Sequence, residues 1–157
     1  MSFSKNDLSL FLYSAISHND YDAVKKIIEE GVDINQVHKD YCYPPFMHAC
    51  THACYTGITT ILEMIFDAKA DISYTDGLDR NALVITCCRR DVEIDTVLPV
   101  CETLLKKDKS LLKTSNGVSI MESLSHSKWS NAALKLILRL FSKYGYKSSD
   151  KHIILKY

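Results

Sequence analysis

The run from His48 to Cys54 holds the densest set of metal-ligand side chains in the sequence. It reads His-Ala-Cys-Thr-His-Ala-Cys, so histidines and cysteines alternate at every second position. On a helix, residues four positions apart lie about 40° apart around the axis, so the two histidines form one pair and the two cysteines another. The pairs point to nearly opposite faces, whereas a structural zinc site needs four converging ligands. Two alternatives follow: a two-ligand site completed from elsewhere in the chain, or cysteines that act as small core residues.

Cys87 and Cys88 are a second candidate for chemistry, as a nucleophile or a vicinal dithiol. A nucleophilic cysteine needs a base that makes the thiolate, and no motif places His48, His52 or His126 beside this pair. The sequence also lacks a Gly-rich phosphate loop, His-Glu-x-x-His and Gly-x-Ser-x-Gly. We therefore expect no catalytic residues, no metal, no cofactor and no small-molecule substrate. The alternative function is that of a Cys/His metal-binding or thiol-redox protein.

The composition favours a protein partner over nucleic acid or membrane. Nineteen Lys and Arg residues balance nineteen Asp and Glu residues, so no net charge attracts a phosphate backbone or an anionic bilayer. The N-terminal residues lack the apolar run of a signal peptide, and Lys135 and Arg139 interrupt the most apolar of the predicted helices. The six cysteines fall mostly in predicted helices rather than in a disulfide framework. We expect one domain with reduced thiols, in the cytoplasm.

A helix that ends sharply at Gly31 sets the pattern of the whole chain. Apolar residues three, four, seven and eight positions before Gly31 lie on one stripe, and the glycine favours the left-handed conformation that ends a helix. This spacing recurs before three later anchor positions, Lys69, Asp108 and Gly145, with one mismatch in the last. The anchors are 38, 39 and 37 residues apart, a near-constant period that is typical of stacked helical repeats.

Within this period the residues resemble the ankyrin repeat. Gly31-Val-Asp-Ile-Asn and Lys69-Ala-Asp-Ile-Ser are similar to the helix ending Gly-Ala-Asp-x-Asn of that family. Pro44-Pro-Phe-Met-His-Ala resembles its opening Thr-Pro-Leu-His-x-Ala, and Ala53-x-x-x-Gly57 its inter-helix motif. The resemblance implies an all-α fold: an ankyrin-repeat solenoid of about four irregular helix-turn-helix repeats with finger loops. The predicted domain is 1–157, with repeats near 8–40, 41–78, 79–115 and 116–147, and with 148–157 as a cap or the start of a further repeat.

Three local departures from a regular repeat are expected. In the second repeat Ala49 and Ala53 both match the small inter-helix residue, which predicts a first helix about one turn longer than usual. In the third repeat Pro99 should lie in the first turn of a helix ending near Lys107, because an interior proline would break it. The residues before it should form a longer turn, with a helical start as the alternative. The fourth repeat should have helices near 119–125 and 131–143. Trp129 lies at the turn between them, either as a cover for the last repeat or as an exposed binding anchor.

The resemblance also implies where a partner would bind, because ankyrin repeats contact proteins through finger loops and inner helices. By position, Tyr41, Tyr43, Arg80 and Arg89 are the expected hot spots, since Tyr and Arg supply large contact area and directed hydrogen bonds. For Tyr43 the alternative is packing on Pro45. The predicted partner-binding residues are His18, Asp40, Tyr41, Tyr43, Tyr55, Leu78, Arg80 and Arg89, with Cys88, Ser115 and Val118 also on this surface.

The irregular repeats and long periods are similar to the divergent ankyrin proteins of poxviruses, and less closely to those secreted by intracellular bacteria. This similarity implies a protein-protein interaction module that captures a host signalling protein and so modulates innate immune or cell-death signalling. Many such proteins carry an F-box-like tail, and no such tail is evident in this sequence.

Overall fold

The computed structural model describes residues 5–113 and 120–147, which form a series of short helices joined by loops. In these ranges the one β feature is an isolated bridge between Thr75 and Asn81, so the predicted all-α class is confirmed. None of the helices described is long and apolar enough to cross a membrane. The helices are α1 Lys5–Ser17, α2 Tyr21–Glu29, α3 Pro45–Thr56, α4 Thr60–Asp67, α5 Ala82–Cys87, α6 Ile94–Lys107, α7 Ile120–Ser125 and α8 Asn131–Lys143, with a 3₁₀ turn at Lys109–Leu112.

The helices are arranged in two layers. The helices α1, α3 and α5 each pack against the even-numbered helix that follows them, and a short turn joins most of these pairs. The odd-numbered helices α1, α3, α5 and α7 contact one another in sequence and form an inner row. The even-numbered helices form an outer row, in which α2 contacts α4 and α6 contacts α8.

The apolar stripes found in the sequence hold the two rows together. In α4 and α6 all eight stripe positions are buried, and this burial contributes roughly 1.5–3 kcal/mol for each large aliphatic side chain, as an upper estimate. In α8 the stripe is weaker, because Ser142 is exposed and Leu138 only half-buried. The buried stripe residues are Val24, Ile27, Ile61, Leu62, Ile65, Phe66, Val100, Cys101, Leu104, Leu105, Ile137 and Phe141.

Three of the four anchors have the left-handed backbone that ends a helix. The φ angles are 82° at Gly31, 66° at Lys69 and 95° at Gly145. Asp108 differs, with an extended φ of −150°. Its carboxylate accepts a hydrogen bond from the Ser110 amide at 2.7 Å and so begins the 3₁₀ turn that follows α6. The third anchor is therefore a cap for the next element rather than a left-handed helix ending.

The first helix of the second repeat is long, as predicted, in comparison with one neighbour only. Helix α3 has 12 residues, against 6 in its counterpart α5 and 13 in its counterpart α1. Ala49 and Ala53 are both 2% exposed, so each serves as a small residue between helices. The extra length ends at Gly57, whose φ of 73° lets its amide bond to the Ala53 carbonyl at 2.7 Å.

The start predicted for the second helix of the third repeat is wrong. Helix α6 begins at Ile94, so Pro99 lies inside it rather than in its first turn. A proline there removes the amide that would bond to the Asp95 carbonyl four residues earlier. Asp95 lies on the exposed side of the helix, and Val97 and Val100 on either side of the proline are fully buried. Burial of these flanking residues therefore outweighs the loss of one hydrogen bond.

The two helices predicted for the fourth repeat are present as α7 and α8, with α8 at the predicted bounds. Trp129 lies between them and is half-buried against the core, which confirms the covering role. Residues 148–157, Ser115 and Val118 lie outside the described residues.

Candidate functional site

Two loops along one edge of the inner row are the structural counterparts of the predicted finger loops. The first finger loop, residues 31–44, leads into α3, and the second finger loop, residues 69–81, leads into α5. Because α3 and α5 are neighbours in the inner row, the two loops enter the same edge of the molecule. Asn35 joins them, since its side-chain oxygen accepts a hydrogen bond from the Asp71 amide at 2.8 Å.

The second finger loop is a closed hairpin built around Asp76. One carboxylate oxygen accepts hydrogen bonds from the Leu78 amide at 2.9 Å and the Arg80 amide at 3.0 Å. The other accepts from Arg80 Nε at 2.8 Å and forms a salt bridge with Arg80 Nη2 at 2.6 Å. Partial burial opposes ionisation of Asp76, but these Arg80 bonds prevail and lower the pKa of the carboxyl. Leu78 lies at the tip of this hairpin and is 73% exposed.

The first finger loop is folded back onto α1. The rings of Tyr41 and Tyr13 stack with centroids 3.9 Å apart and planes at 11°. Tyr13 is fully buried and its hydroxyl donates to the Tyr43 carbonyl at 2.7 Å, while burial raises the pKa of Tyr13 to about 12. Tyr43 is half-buried and packs against the core. The structure therefore gives both loop tyrosines an internal packing role.

His48 on α3 lies against the same aromatic cluster. Its ring centroid is 5.2 Å from Tyr13, 5.3 Å from Tyr41 and 6.1 Å from Tyr43. Ser17 Oγ donates to the Tyr13 carbonyl at 3.0 Å, so its contact of 2.8 Å with His48 Nε2 requires Nε2 to be the donor. His48 Nδ1 is then an acceptor and is buried without a hydrogen-bond partner. Burial and the neighbouring His52 lower the pKa of His48.

A polar cluster lies at the opposite ends of the inner helices. Tyr55, at the end of α3, donates to Asp91 and accepts from Arg89 Nη2 at 2.5 Å. Arg89 also binds Asp91 at 3.0 Å, and its guanidinium carbon lies 4.9 Å from the centre of the Tyr55 ring. The hydrogen bond from Tyr55 lowers the pKa of Asp91 and raises that of the phenol. The arrangement holds Tyr55 and Arg89 in one orientation, although Tyr55 is 53% exposed.

Comparison with known proteins bears on the fold. No protein-family model matches the chain, and no curated protein matches it. Among solved structures, the crystal structure of the ankyrin repeat domain of Bcl-3, "a unique member of the IkappaB protein family", superposes with a TM-score of 0.56 at 18% sequence identity. The match covers 81% of this chain and 50% of that chain, so the present chain spans about half of that domain. This chain has the ankyrin-repeat fold.

Hydrogen bonds between successive ankyrin repeats tie down the C-terminal ends of two inner helices, α3 and α5. Thr96 Oγ1 donates to the Cys54 carbonyl at 2.5 Å, and Trp129 Nε1 donates to the Cys87 carbonyl at 2.5 Å. In each tie a residue of the following repeat satisfies a carbonyl at the end of an inner helix, where the helix itself offers no partner. The donor and the acceptor are 42 residues apart in both cases.

The remaining predicted binding residues are His18, Asp40 and Cys88, and each has its own local contact. His18 is exposed at the end of α1, with its Nδ1 2.8 Å from the Ser14 carbonyl oxygen. Asp40 is exposed and its carboxylate lies 3.5 Å from Nδ1 of the buried His38. Cys88 is half-buried, and its thiol donates towards the Ser123 carbonyl at 3.6 Å.

Sequence reasoning missed the partners that hold these residues. Asp76, Asp91 and Tyr13 each fix a predicted binding residue, but none was a candidate. Asp91 could have been found from the period, because it follows Tyr55 by 36 residues, about one repeat. Tyr13 gave no such signal.

The His48–Cys54 run divides as the helical geometry predicts. Cys50 and Cys54 are buried in the core, whereas His48 and His52 are half-buried on the other side of α3. Across residues 5–113 and 120–147, no three His, Cys, Asp or Glu side chains converge as a metal site.

Proposed function

We propose that this ankyrin-repeat chain is a non-enzymatic binding module that captures a partner protein on its inner face. Ankyrin arrays, like other solenoids, present extended concave surfaces on which proteins bind. In this chain the surface would run from the second finger loop across the inner helices to the Tyr55 cluster at their far ends. The fold and the ordered polar groups along this face support the proposal.

The exposed tip of the second finger loop is the observation that carries the proposal. A leucine that is 73% exposed gains nothing from the hydrophobic effect in the free protein. The three hydrogen bonds accepted by Asp76 and its salt bridge with Arg80 hold the tip in one conformation, so little conformational entropy is lost when a partner covers Leu78. A rigid apolar side chain of this kind fits an apolar pocket on a partner.

Arg80, Tyr55 and Arg89 would surround this anchor with oriented polar groups. Arg80 forms the base of the finger loop, and Tyr55 and Arg89 are already held by Asp91. Pre-ordered aromatic and guanidinium groups lose little freedom on binding, which favours them as hot spots. Tyr41 and Tyr43 contribute less in this proposal, because their rings are used within the protein.

A matched pair of leucine substitutions tests the proposed surface. Protein captured from a cell lysate is identified by mass spectrometry, purified, and its affinity is measured for the unchanged chain, Leu78→Ala and Leu136→Ala. Leu136 is 37% exposed on the outer helix α8 and serves as the control. We expect Leu78→Ala to weaken binding by roughly 30-fold, as for a hot spot, and Leu136→Ala to change it less than about twofold. If the two variants lose affinity equally, or if Leu78→Ala binds as tightly as the unchanged chain, while both melting temperatures are unchanged, the binding surface lies elsewhere.

We further propose that the partner is a host signalling protein and that the chain acts in the cytoplasm of an infected cell. The support is the similarity to divergent poxviral ankyrin proteins, together with the irregular lengths of α3 and α6. All six cysteines are free, which fits a reducing compartment. Capture from a lysate of the infected cell type should then enrich a signalling protein when the unchanged chain is the bait. The same protein should be lost when Leu78→Ala is the bait. Enrichment of proteins outside signalling pathways would contradict this part of the proposal alone.

A further inference from the structure

Two cysteine sulfurs meet beneath the inner face, in the third repeat. Cys87 Sγ, at the end of α5, lies 3.4 Å from Cys101 Sγ, in the middle of α6. Both residues are 0% exposed, so neither takes part in the proposed binding surface. The contact joins the inner and outer helices of one repeat.

We propose that Cys87 and Cys101 are an oxidative modification site, at which a peroxide closes a disulfide between α5 and α6. This inference does not depend on the proposed binding function.

The geometry favours this pair over the other thiols. A disulfide bond is about 2.05 Å long, so the two sulfurs, already in contact, need to approach by roughly 1.4 Å. Cys50 and Cys54 lie on one helix, and Cys88 directs its thiol towards the Ser123 carbonyl on the neighbouring α7. Cys42 is exposed in the first finger loop, whereas Cys87 and Cys101 are buried.

The chemistry balances with hydrogen peroxide as the oxidant. One thiol, as its thiolate, attacks a peroxide oxygen; the O–O bond breaks and gives a sulfenic acid and water. The second sulfur attacks the sulfenic sulfur, forms the S–S bond and displaces a second molecule of water. Two thiols and one peroxide thus give one disulfide and two waters, and two electrons pass from sulfur to oxygen.

Burial should make this reaction slow and dependent on the solution conditions. The hydrogen bond with Cys101, together with burial, raises the pKa of Cys87, so little thiolate forms at neutral pH. Peroxide reaches the pair when the end of α5 opens, because α5 has 6 residues and Cys87 is its last. The rate should therefore rise with pH and with mild denaturant.

Closure would act on the inner face through the backbone of Cys87. Its carbonyl accepts the hydrogen bond from Trp129 Nε1, and Arg89 follows two residues later. A cross-link to α6 therefore fixes the end of α5 that carries Arg89. The chain has one tryptophan, so its fluorescence reports on this end of the helix.

The test uses the full chain with Cys42→Ser, which removes the exposed thiol. After peroxide treatment and trypsin digestion without reduction, we expect a cross-linked species of peptides 81–89 and 91–106, with fragmentation assigning the bond to Cys87 rather than Cys88. Two thiols should be lost per chain, the melting temperature should rise by roughly 5 °C and dithiothreitol should reverse both changes.

Single serine variants give the matched controls. In the Cys42→Ser background, Cys101→Ser should abolish the cross-link and Cys50→Ser should retain it. Thiol loss without the 81–89 to 91–106 cross-link, or bonds to Cys50 or Cys54 that form as readily, would overturn the proposal. So would an absence of reaction at pH 9 in mild urea. If Cys101→Ser does not fold, mapping of the Cys42→Ser chain decides the question by itself.

Discussion

The two finger loops occupy equivalent positions in successive repeats but are used in opposite ways. The first turns inward: His38 is buried, and Tyr41 stacks on Tyr13 of α1. The second closes on itself through the Thr75–Asn81 bridge and leaves Leu78 exposed at its tip. The repeat position therefore determines where a finger loop begins, while its side chains decide whether it is part of the core or of the surface.

The difference depends on where each loop finds its hydrogen-bond acceptors and ring partners. The second loop supplies its own acceptor, because Asp76 binds backbone amides and a side chain only two and four residues away. The first loop takes its ring partner from α1, nearly thirty residues earlier in the chain. A loop that is satisfied locally can project, whereas one that depends on a neighbouring repeat is held against it.

Removal of Tyr13 should have the largest effect, because it breaks the support of the first finger loop. Tyr13→Ala deletes a fully buried aromatic ring, its stack with Tyr41 and its hydrogen bond to the Tyr43 carbonyl. We expect a loss of about 3–5 kcal/mol in the free energy of unfolding, measured by urea denaturation. The control is Tyr55→Ala, at an exposed tyrosine, with an expected loss under about 1 kcal/mol. Similar losses in the two variants would show that the first loop is not held by Tyr13.

Acid should weaken the first finger loop and leave the second unchanged. The pKa of His48 is lowered in the folded protein, by burial and by His52, so the unfolded chain takes up a proton first as the pH falls. Stability should be complete above the ordinary histidine pKa and decrease as the pH falls below it, because a proton on the buried Nδ1 finds no acceptor.

The pH effect is measured by urea denaturation at pH 7.5 and 5.5. We expect a loss of stability at the lower pH that is smaller than the loss on Tyr13→Ala, and that His48→Gln reduces. The protection factor of the Tyr41 amide, which bonds to the His38 carbonyl, should fall in acid, while the protection factor of the Leu78 amide should stay the same. A stability difference that His48→Gln leaves unchanged would assign the pH dependence to other groups.

Asp76→Ala should free the tip of the second finger loop at little cost to global stability. It removes one acceptor of the Leu78 and Arg80 amides and the partner of the Arg80 guanidinium. Because the Asp76–Arg80 pair is partly exposed, we expect a loss of about 1 kcal/mol in unfolding free energy, but clearly faster amide exchange at Leu78 and Arg80. Asp76→Asn keeps a neutral acceptor and should preserve most of the protection. Unchanged exchange in Asp76→Ala would contradict the role given to this carboxylate.

Much of the fold was predictable because its signals are short in range. The apolar stripe and the helix ending at Gly31 lie within nine residues, and their recurrence predicts the outer helices. Pro99 misled the prediction because local propensity places proline at a helix start, whereas burial of Val97 and Val100 extends α6 past it. Asp108 fits the spacing, but its short side chain caps the 3₁₀ turn instead.

The candidate site was less predictable, because its geometry depends on contacts between repeats. Sequence alone marks Tyr41 as a large polar aromatic residue suited to binding, and cannot show that Tyr13 stacks against it. Leu78 was found from its position in the repeat, but its rigidity depends on Asp76, which reads as an ordinary turn residue. The period does reveal one partner, since Tyr55 and Asp91 lie 36 residues apart.

Substitutions at the starts of the two finger loops should change the free energy of unfolding least, and with opposite signs. The first loop starts at Gly31 and the second at Lys69, and both have left-handed backbone, with φ of 82° and 66°. An added Cβ at Gly31 would meet no atom within 4 Å, so Gly31→Ala tests backbone strain alone. We expect it to cost about 1 kcal/mol, and Lys69→Gly to add up to about 0.5 kcal/mol, since part of the strain relieved is offset by the entropy that glycine gains in the unfolded chain. Thermal unfolding of the two variants and of the double variant measures both values, which should add because the sites are separate. If both variants lost stability, Lys69 would contribute through its side chain, and the helix endings of the two repeats would not be equivalent.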